Sequence, residues 1–251
     1  MIVLIIFGTS KSVLAEPLMI TISNDMNKVI FDGKWSSPTE WKHSSLNTIS
    51  YDDGTTIELR TAHQDNFIYI FIDEVSKIRF NKHGDMAVIC FDKNNSKIMI
   101  ANKNDYCFGV PFDGKSPFTL IGGSPLEETS HYMKIQNPNE LIGISNVSDE
   151  NDRYTEIPHA SYEFRIPTDL VGRSDMYGFY MGVYDAHSNK VYAWPDNLTV
   201  QGPLKIPNPS EWGQIISPDR SLPEFPLPFL ALLISMVLLV YFTRKNSFNF
   251  G

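Results

Sequence analysis

The sequence predicts an all-β fold, a two-sheet antiparallel β-sandwich followed by a C-terminal transmembrane helix. Three observations predict it. Apolar residues recur with a period of two far more often than with a helical period. Turn residues interrupt these runs at short intervals. A single unbroken apolar run near the C-terminus ends in a basic pair.

In chain order, Met1 to Gly8 is a short apolar run, followed by Val13-Leu14-Ala15 and then Glu16-Pro17. Small residues before a cut after Ala15 predict a signal peptide over 1–15. The ectodomain is then 16–216. Ile57 and Leu59 alternate with Glu58 and Arg60, and Ala87-Ile89-Phe91, Tyr162-Phe164-Ile166 and Tyr177-Phe179-Met181-Val183 repeat the pattern. Phe67-Ile68-Tyr69-Ile70-Phe71-Ile72 is apolar on both faces, which predicts a central strand covered on both sides. Asp53-Gly54, Asp65-Asn66, Asp113-Gly114, Gly122-Gly123 and Ser188-Asn189 mark the turns. The one helical turn predicted follows Pro167, capped by Thr168 or Asp169 and ending at Gly172. Trp212-Gly213 opens a last strand, and 217–224 form a short stalk.

Phe225 to Phe242 carries no charge and is followed at once by Arg244-Lys245. At about 1.5 Å per residue this run reaches roughly 27 Å, enough for a hydrocarbon core of about 30 Å. A span over 225–243 follows, with 244–251 as a cytoplasmic tail and the rest outside, because the basic pair lies on the C-terminal side.

Charge narrows the partners. Lys and Arg number 21 against 29 Asp and Glu, for a formal net charge of −8. With no basic cluster, nucleic acid is excluded as a partner. Cys90 and Cys107 are the only cysteines, an even pair that in an oxidising exterior reads as a disulfide. Cys90 faces away from the Ala87-Ile89-Phe91 row, and spacing alone does not say whether Cys107 comes within reach.

Chemistry-bearing motifs are sparse. Gly109 to Ser116 matches the phosphate-loop pattern, but Pro117-Phe118-Thr119-Leu120-Ile121 is strand-like where a phosphate loop needs a helix, so it reads as a turn. His43, His63, His83, His131, His159 and His187 show no zinc-binding spacing and read as surface residues. No nucleophile elbow appears, and no active site is marked, so the chain reads as a non-enzyme. Acidic turns at Asp92 to Asn95, Asp149 to Asp152 and Asp185 to Asn189 offer the oxygen ligands that structural Ca²⁺ prefers. Sequons at Asn94, Asn146 and Asn197 predict glycosylated surface loops.

Two resemblances add to this. Pro223-Glu224-Phe225 before the span and the basic pair after it resemble the PEF-type sorting signal of archaeal surface proteins. In that family an archaeosortase cuts near the motif and transfers the protein to a surface anchor. Here Asn246 to Gly251 extend beyond the basic pair.

The order of landmarks in the ectodomain resembles a family 9 carbohydrate-binding module, a sandwich related to the DOMON-type domains. The landmarks are Ile30-Phe31-Asp32-Gly33, Glu40-Trp41, Phe67 to Asp73, Asp85 to Asp92, Tyr162 to Pro167, Gly178-Phe179 to Asp185, Trp194 and Trp212-Gly213, covering about 28–216. The resemblance implies binding of a glycan on aromatic faces beside a hydrogen-bonding rim, sometimes with structural calcium. Trp41 and Trp212 hold core-packing positions. Trp194 with Tyr192, and Tyr184 and Asp185 across a turn, form the candidate platform, and Trp35 is second. Related sandwiches hold b-type haem, for which Met86, Met99, Met133 with Lys134, Met176 and Met181 offer ligands. A structural envelope protein without a small ligand is the remaining alternative.

Overall fold

The computed structural model describes residues 15–76, 79–112, 116–218 and 235–236. The chain divides into two units, Met1–Pro218 and Asp219–Gly251. The predicted signal peptide apart from Ala15, the sorting motif, the span apart from Ser235 and Met236, and the tail lie outside the described residues. Among the described residues no helix is long and apolar enough to cross a membrane.

The first unit holds fourteen strands among its described residues: β1 (Leu18–Met19), β2 (Thr21–Ile22), β3 (Ser45–Ser50), β4 (Thr56–Gln64), β5 (Phe67–Asp73), β6 (Met86–Asp92) and β7 (Asp105–Pro111), then β8 (Phe118–Gly122), β9 (Tyr132–Ile135), β10 (Ile142–Val147), β11 (Ala160–Pro167), β12 (Met176–Asp185), β13 (Lys190–Trp194) and β14 (Gly213–Ile216). They form an eight-stranded sheet in the order β1-β14-β12-β6-β7-β8-β9, with β13 also on β12, and a six-stranded sheet in the order β10-β11-β5-β4-β2, with β3 also on β4. The predicted all-β sandwich is therefore present.

The period of two explains the core. Ile57, Leu59, Ile68, Ile70, Ile72, Tyr162, Phe164 and Ile166 of the smaller sheet meet Ala87, Ile89, Phe91, Tyr177, Phe179, Met181 and Val183 of the larger one in a single buried cluster. Alternate side chains point to one face of a strand, so each sheet presents one apolar layer to the other. The expectation of antiparallel pairing needs one correction. β1 pairs with β14, and β2 with β4, in parallel. The segment around Ile20, whose N–H donates to the Ile216 carbonyl at 2.8 Å, passes from one sheet to the other, running alongside the strand on which the domain ends.

Both outer faces are covered as well. On the smaller sheet, Met26, Trp35 and Trp41 lie over Ala62, Tyr69 and Phe71, which makes β5 the doubly covered central strand predicted. On the larger sheet, Ile206 and Trp212 lie over Val88, Cys90, Cys107, Tyr180, Val191 and Ala193. Cys90 and Cys107 are direct cross-strand partners of β6 and β7 and are bonded to each other.

Within the phosphate-loop pattern Gly109 to Pro111 belong to β7, and Gly109 pairs with Phe118 of β8; residues 113–115 are not among the described residues. A Cβ at Gly109 would stand 2.1 Å from the Phe118 ring, so the glycine makes room for that ring rather than for a phosphate. The predicted helical turn is α1 (Thr168–Val171), closed by Gly172, but no side chain caps it; the Thr168 hydroxyl donates to the Asn66 carbonyl instead, at 3.2 Å.

Asp92 and Asp105, opposite each other on β6 and β7, are fully buried. Asp105 Oδ2 accepts the Asn102 N–H at 2.6 Å, and burial pushes this carboxyl up to about 6. With its folded value above its unfolded one, the folded chain holds the extra proton between about pH 4 and 6, so stability falls as pH rises through that window. Asp105→Asn removes that slope. Unfolding free energies of wild type and variant from urea titrations should diverge from pH 4 to 7 by about 2–3 kcal/mol; parallel profiles would contradict the assignment.

Candidate functional site

β13 pairs only with β12 among the described strands, which leaves its other edge free. The turn between β3 and β4 reaches it from the smaller sheet. That turn is fixed by Tyr51 N–H donating to Thr55 O and Gly54 N–H to Tyr51 O, both at 2.9 Å. The Tyr51 hydroxyl then donates to the Ala193 carbonyl on the β13 edge at 3.1 Å, and its ring meets Tyr192 edge-on at 5.1 Å. Beyond Trp194 the chain passes over the edge, with residues 196–200 as an overhang.

These three segments enclose a cleft of about 410 Å³. Its rim carries Ser50, Asp52, Lys190, Asp196, Asn197 and Thr199, and its floor is Tyr51, Val191, Ala193, Leu198 and Val200. A second hollow of about 320 Å³ shares Ser50 and Asp196 and is bounded by Trp194 and the Ala15 to Leu18 segment. Lys190 is held at the mouth: its ammonium is 2.5 Å from Asp53 Oδ2 and 4.6 Å from the Tyr192 ring centroid, and the Tyr192 hydroxyl donates to the same oxygen at 3.1 Å. Lys190 holds the Asp53 carboxyl well below the usual carboxylate range.

The predicted platform is not an exposed one. Tyr192 and Trp194 share a face, but it is the inner face, and they are 6% and 5% exposed within the sandwich core. Trp194 packs on Phe179, with ring centroids 5.9 Å apart. Tyr184 lies against the cluster on the outer face of the sheet, so the structure does not bring it to Tyr192. Asp185 holds its own turn, accepting from His187 N–H at 2.8 Å and the Ser188 hydroxyl at 2.9 Å. Trp35 is fully buried between Phe71, Tyr154 and the Arg60 guanidinium, which leaves no ring face for a sugar. Trp41 and Trp212 pack as expected, on Phe71 and Tyr180.

The carboxylates that begin the acidic turns are likewise occupied locally. Asp92 accepts from Asn94 N–H, Lys97 N–H and the Ser96 hydroxyl, and Asp149 accepts from Asn151 N–H and Lys34. The methionines raised for haem are dispersed: Met181 lies in the inner core, Met86 against the outer cluster, and Met99, Met133 and Met176 are exposed. Asn94, Asn146 and Asn197 are exposed, though Asn146 lies in β10 and its amide donates to Asp32 O at 2.9 Å.

Histidine placement departs from expectation. His43, His83 and His187 are exposed, but His63 and His159 are buried. His159 Nε2 meets Asp73 Oδ1, with Asp152 Oδ2 3.9 Å away. Burial pushes Asp73 up to about 7; burial also works to lower His159, but the Asp73 contact outweighs it and the histidine is raised. The signal available in sequence was only that Asp73 ends an apolar strand and that His159 immediately precedes another.

No family model matches the chain, and no curated protein matches it. Solved structures do. Two similar ones are both carbohydrate-binding modules of family 9 from Caldicellulosiruptor kristjanssonii. The first, in complex with cellotriose, is 13% identical, covering 82% of this chain and 97% of that one, with a TM-score of 0.46. The second, in complex with glucose, is 14% identical, covering 83% of this chain and all of that one, with a TM-score of 0.45. At such identity neither structure assigns a role to a residue of this chain.

Proposed function

We propose that the chain is a non-catalytic glycan-binding module displayed at the cell surface. The observation that supports it is the cleft at the β13 edge. A sugar presents hydroxyls around an apolar ring face, and this cleft sets hydrogen-bonding side chains around an apolar floor, within the volume range of small-ligand sites. Asp196 and Asn197 are exposed on the overhang, so their side chains can be changed without opening the core. Surface display is supported by the sequence: the leader-like start, the apolar run from Phe225 to Phe242 and the basic pair behind it. The Pro223-Glu224-Phe225 motif extends the proposal to an archaeosortase as processing partner.

Calorimetric titration with a panel of oligosaccharides, cellotriose among them, tests the binding. Asp196→Ala should weaken binding by about 10–100-fold, the loss of a hydrogen bond to a charged group, at an unchanged unfolding midpoint. Equal affinity in wild type and variant would place any binding elsewhere, and no heat with any member of the panel would remove the proposal.

A further inference from the structure

Asp73 ends β5, His159 stands one residue before β11, and Asp152 lies in the loop between β10 and β11. The pairing of Ser161 with Asp73 brings the three together on the smaller sheet, and they share no residue with the cleft. The side chains of all three are fully buried, and their ligand atoms lie within 4.8 Å of one another.

What matters is how each group is aimed. Asp152 Oδ1 is taken by the N–H groups of Tyr154 and Thr155, at 2.8 and 3.1 Å. Its Oδ2 has no hydrogen-bond partner and points toward His159 Nε2. Asp73 Oδ2 likewise has no hydrogen-bond partner. His159 Nδ1 is 2.8 Å from both the Ile157 carbonyl and the Ser148 hydroxyl, whose oxygen accepts the His159 backbone N–H; the carbonyl can only accept, so the tautomer that satisfies it carries its proton on Nδ1. In the neutral ring Nε2 then offers its lone pair to the point the carboxylates face.

Nε2 of His159, the Asp73 carboxyl and the unpaired oxygen of Asp152 therefore converge where water does not reach. A proton shared between the Asp73 and Asp152 carboxyls, or a second one on His159, reduces this charge but still leaves three polar groups buried against one another, which is costly. A dication balances both carboxylates and gives every lone pair a partner. We propose that Asp73, Asp152 and His159 form a structural site for a divalent transition metal of the zinc class. Both oxygens of Asp73, Oδ2 of Asp152 and Nε2 of His159 give four donors, and Ile157 fixes the ring through its other nitrogen. Ca²⁺ fits poorly, because it takes six to eight oxygens and imidazole suits zinc-like ions. The ion pins the 148–157 loop, and with it Tyr154 against Arg60 and Trp35, to the central strand.

The test uses the untagged full-length chain, stripped by a chelator and titrated with ZnCl₂ and, separately, CaCl₂. One zinc should bind per chain, and zinc-edge X-ray absorption should show a nitrogen and oxygen shell with one imidazole and no sulfur. Asp152→Asn and His159→Gln should each lower zinc affinity by roughly tenfold or more, with the far-ultraviolet spectrum unchanged. Should either variant fail to fold, the absorption spectrum of the wild type decides. No zinc uptake, preference for Ca²⁺, a shell without imidazole, or unchanged affinity in both variants would overturn the site.

Discussion

Replacing Glu163 by alanine is expected to cost about 3–5 kcal/mol of folding stability. The side chain lies on the outer face of β11, fully buried, and is the common acceptor for the segment that covers the smaller sheet. Its Oε2 takes the N–H groups of Asp32 and Gly33 at 3.0 and 2.7 Å, and its Oε1 takes the Trp41 indole N–H at 3.0 Å. Alanine leaves three donors without an acceptor, two of them buried. Burial pushes this carboxyl well above the usual range, against the pull of the Gly33 and Trp41 donors. Glutamine, its uncharged isostere, should therefore lose less, about 1–3 kcal/mol. Urea unfolding followed by tryptophan emission measures both, because Trp35 and Trp41 lie under the same segment. A midpoint for Glu163→Ala equal to wild type would mean that the segment is held by something else.

Trp194→Ala is expected to cost a similar amount, about 3–5 kcal/mol, by leaving a cavity in the core. The indole is 5% exposed and packs against Phe179 and Gly213, where a Cβ would stand 2.0 Å from the ring. Any loss of sugar binding in this variant then follows from unfolding. Trp194→Phe, which keeps most of the volume, should bind as wild type does. A Trp194→Ala chain with the wild-type midpoint and no binding would instead make the ring a sugar-stacking face.

The misplacement of Trp194 shows where pattern reading stops. Tyr177, Phe179, Met181 and Val183 alternate with Gly178, Tyr180, Gly182 and Tyr184, and the two glycines on the other face make the inward row legible. In β13, Tyr192 and Trp194 alternate with Val191 and Ala193, which are apolar too, and both faces turn out to be buried. Alternation there groups the side chains without saying which group faces the core. The Phe31-Asp32-Gly33, Glu40-Trp41 and Tyr162-Glu163-Phe164 landmarks were visible as separate pieces. That one carboxylate ties them together depends on contacts across more than a hundred residues. The cleft had no local signature, since it is assembled from 50–52, 190–193 and 196–200. His159 was equally silent, because Asp73 comes from a strand 86 residues away and Asp152 stands at no metal-ligand spacing from it.

The most direct test of glycan binding at the β13 edge is a proton–nitrogen correlation spectrum of a chain ending at Pro218, recorded with and without oligosaccharide. Shift changes should fall on residues 50–52, 190–193 and 196–200 and spare the Asp73, Asp152 and His159 cluster. Changes centred on any other surface, or an unaltered spectrum with every oligosaccharide tried, would contradict the account.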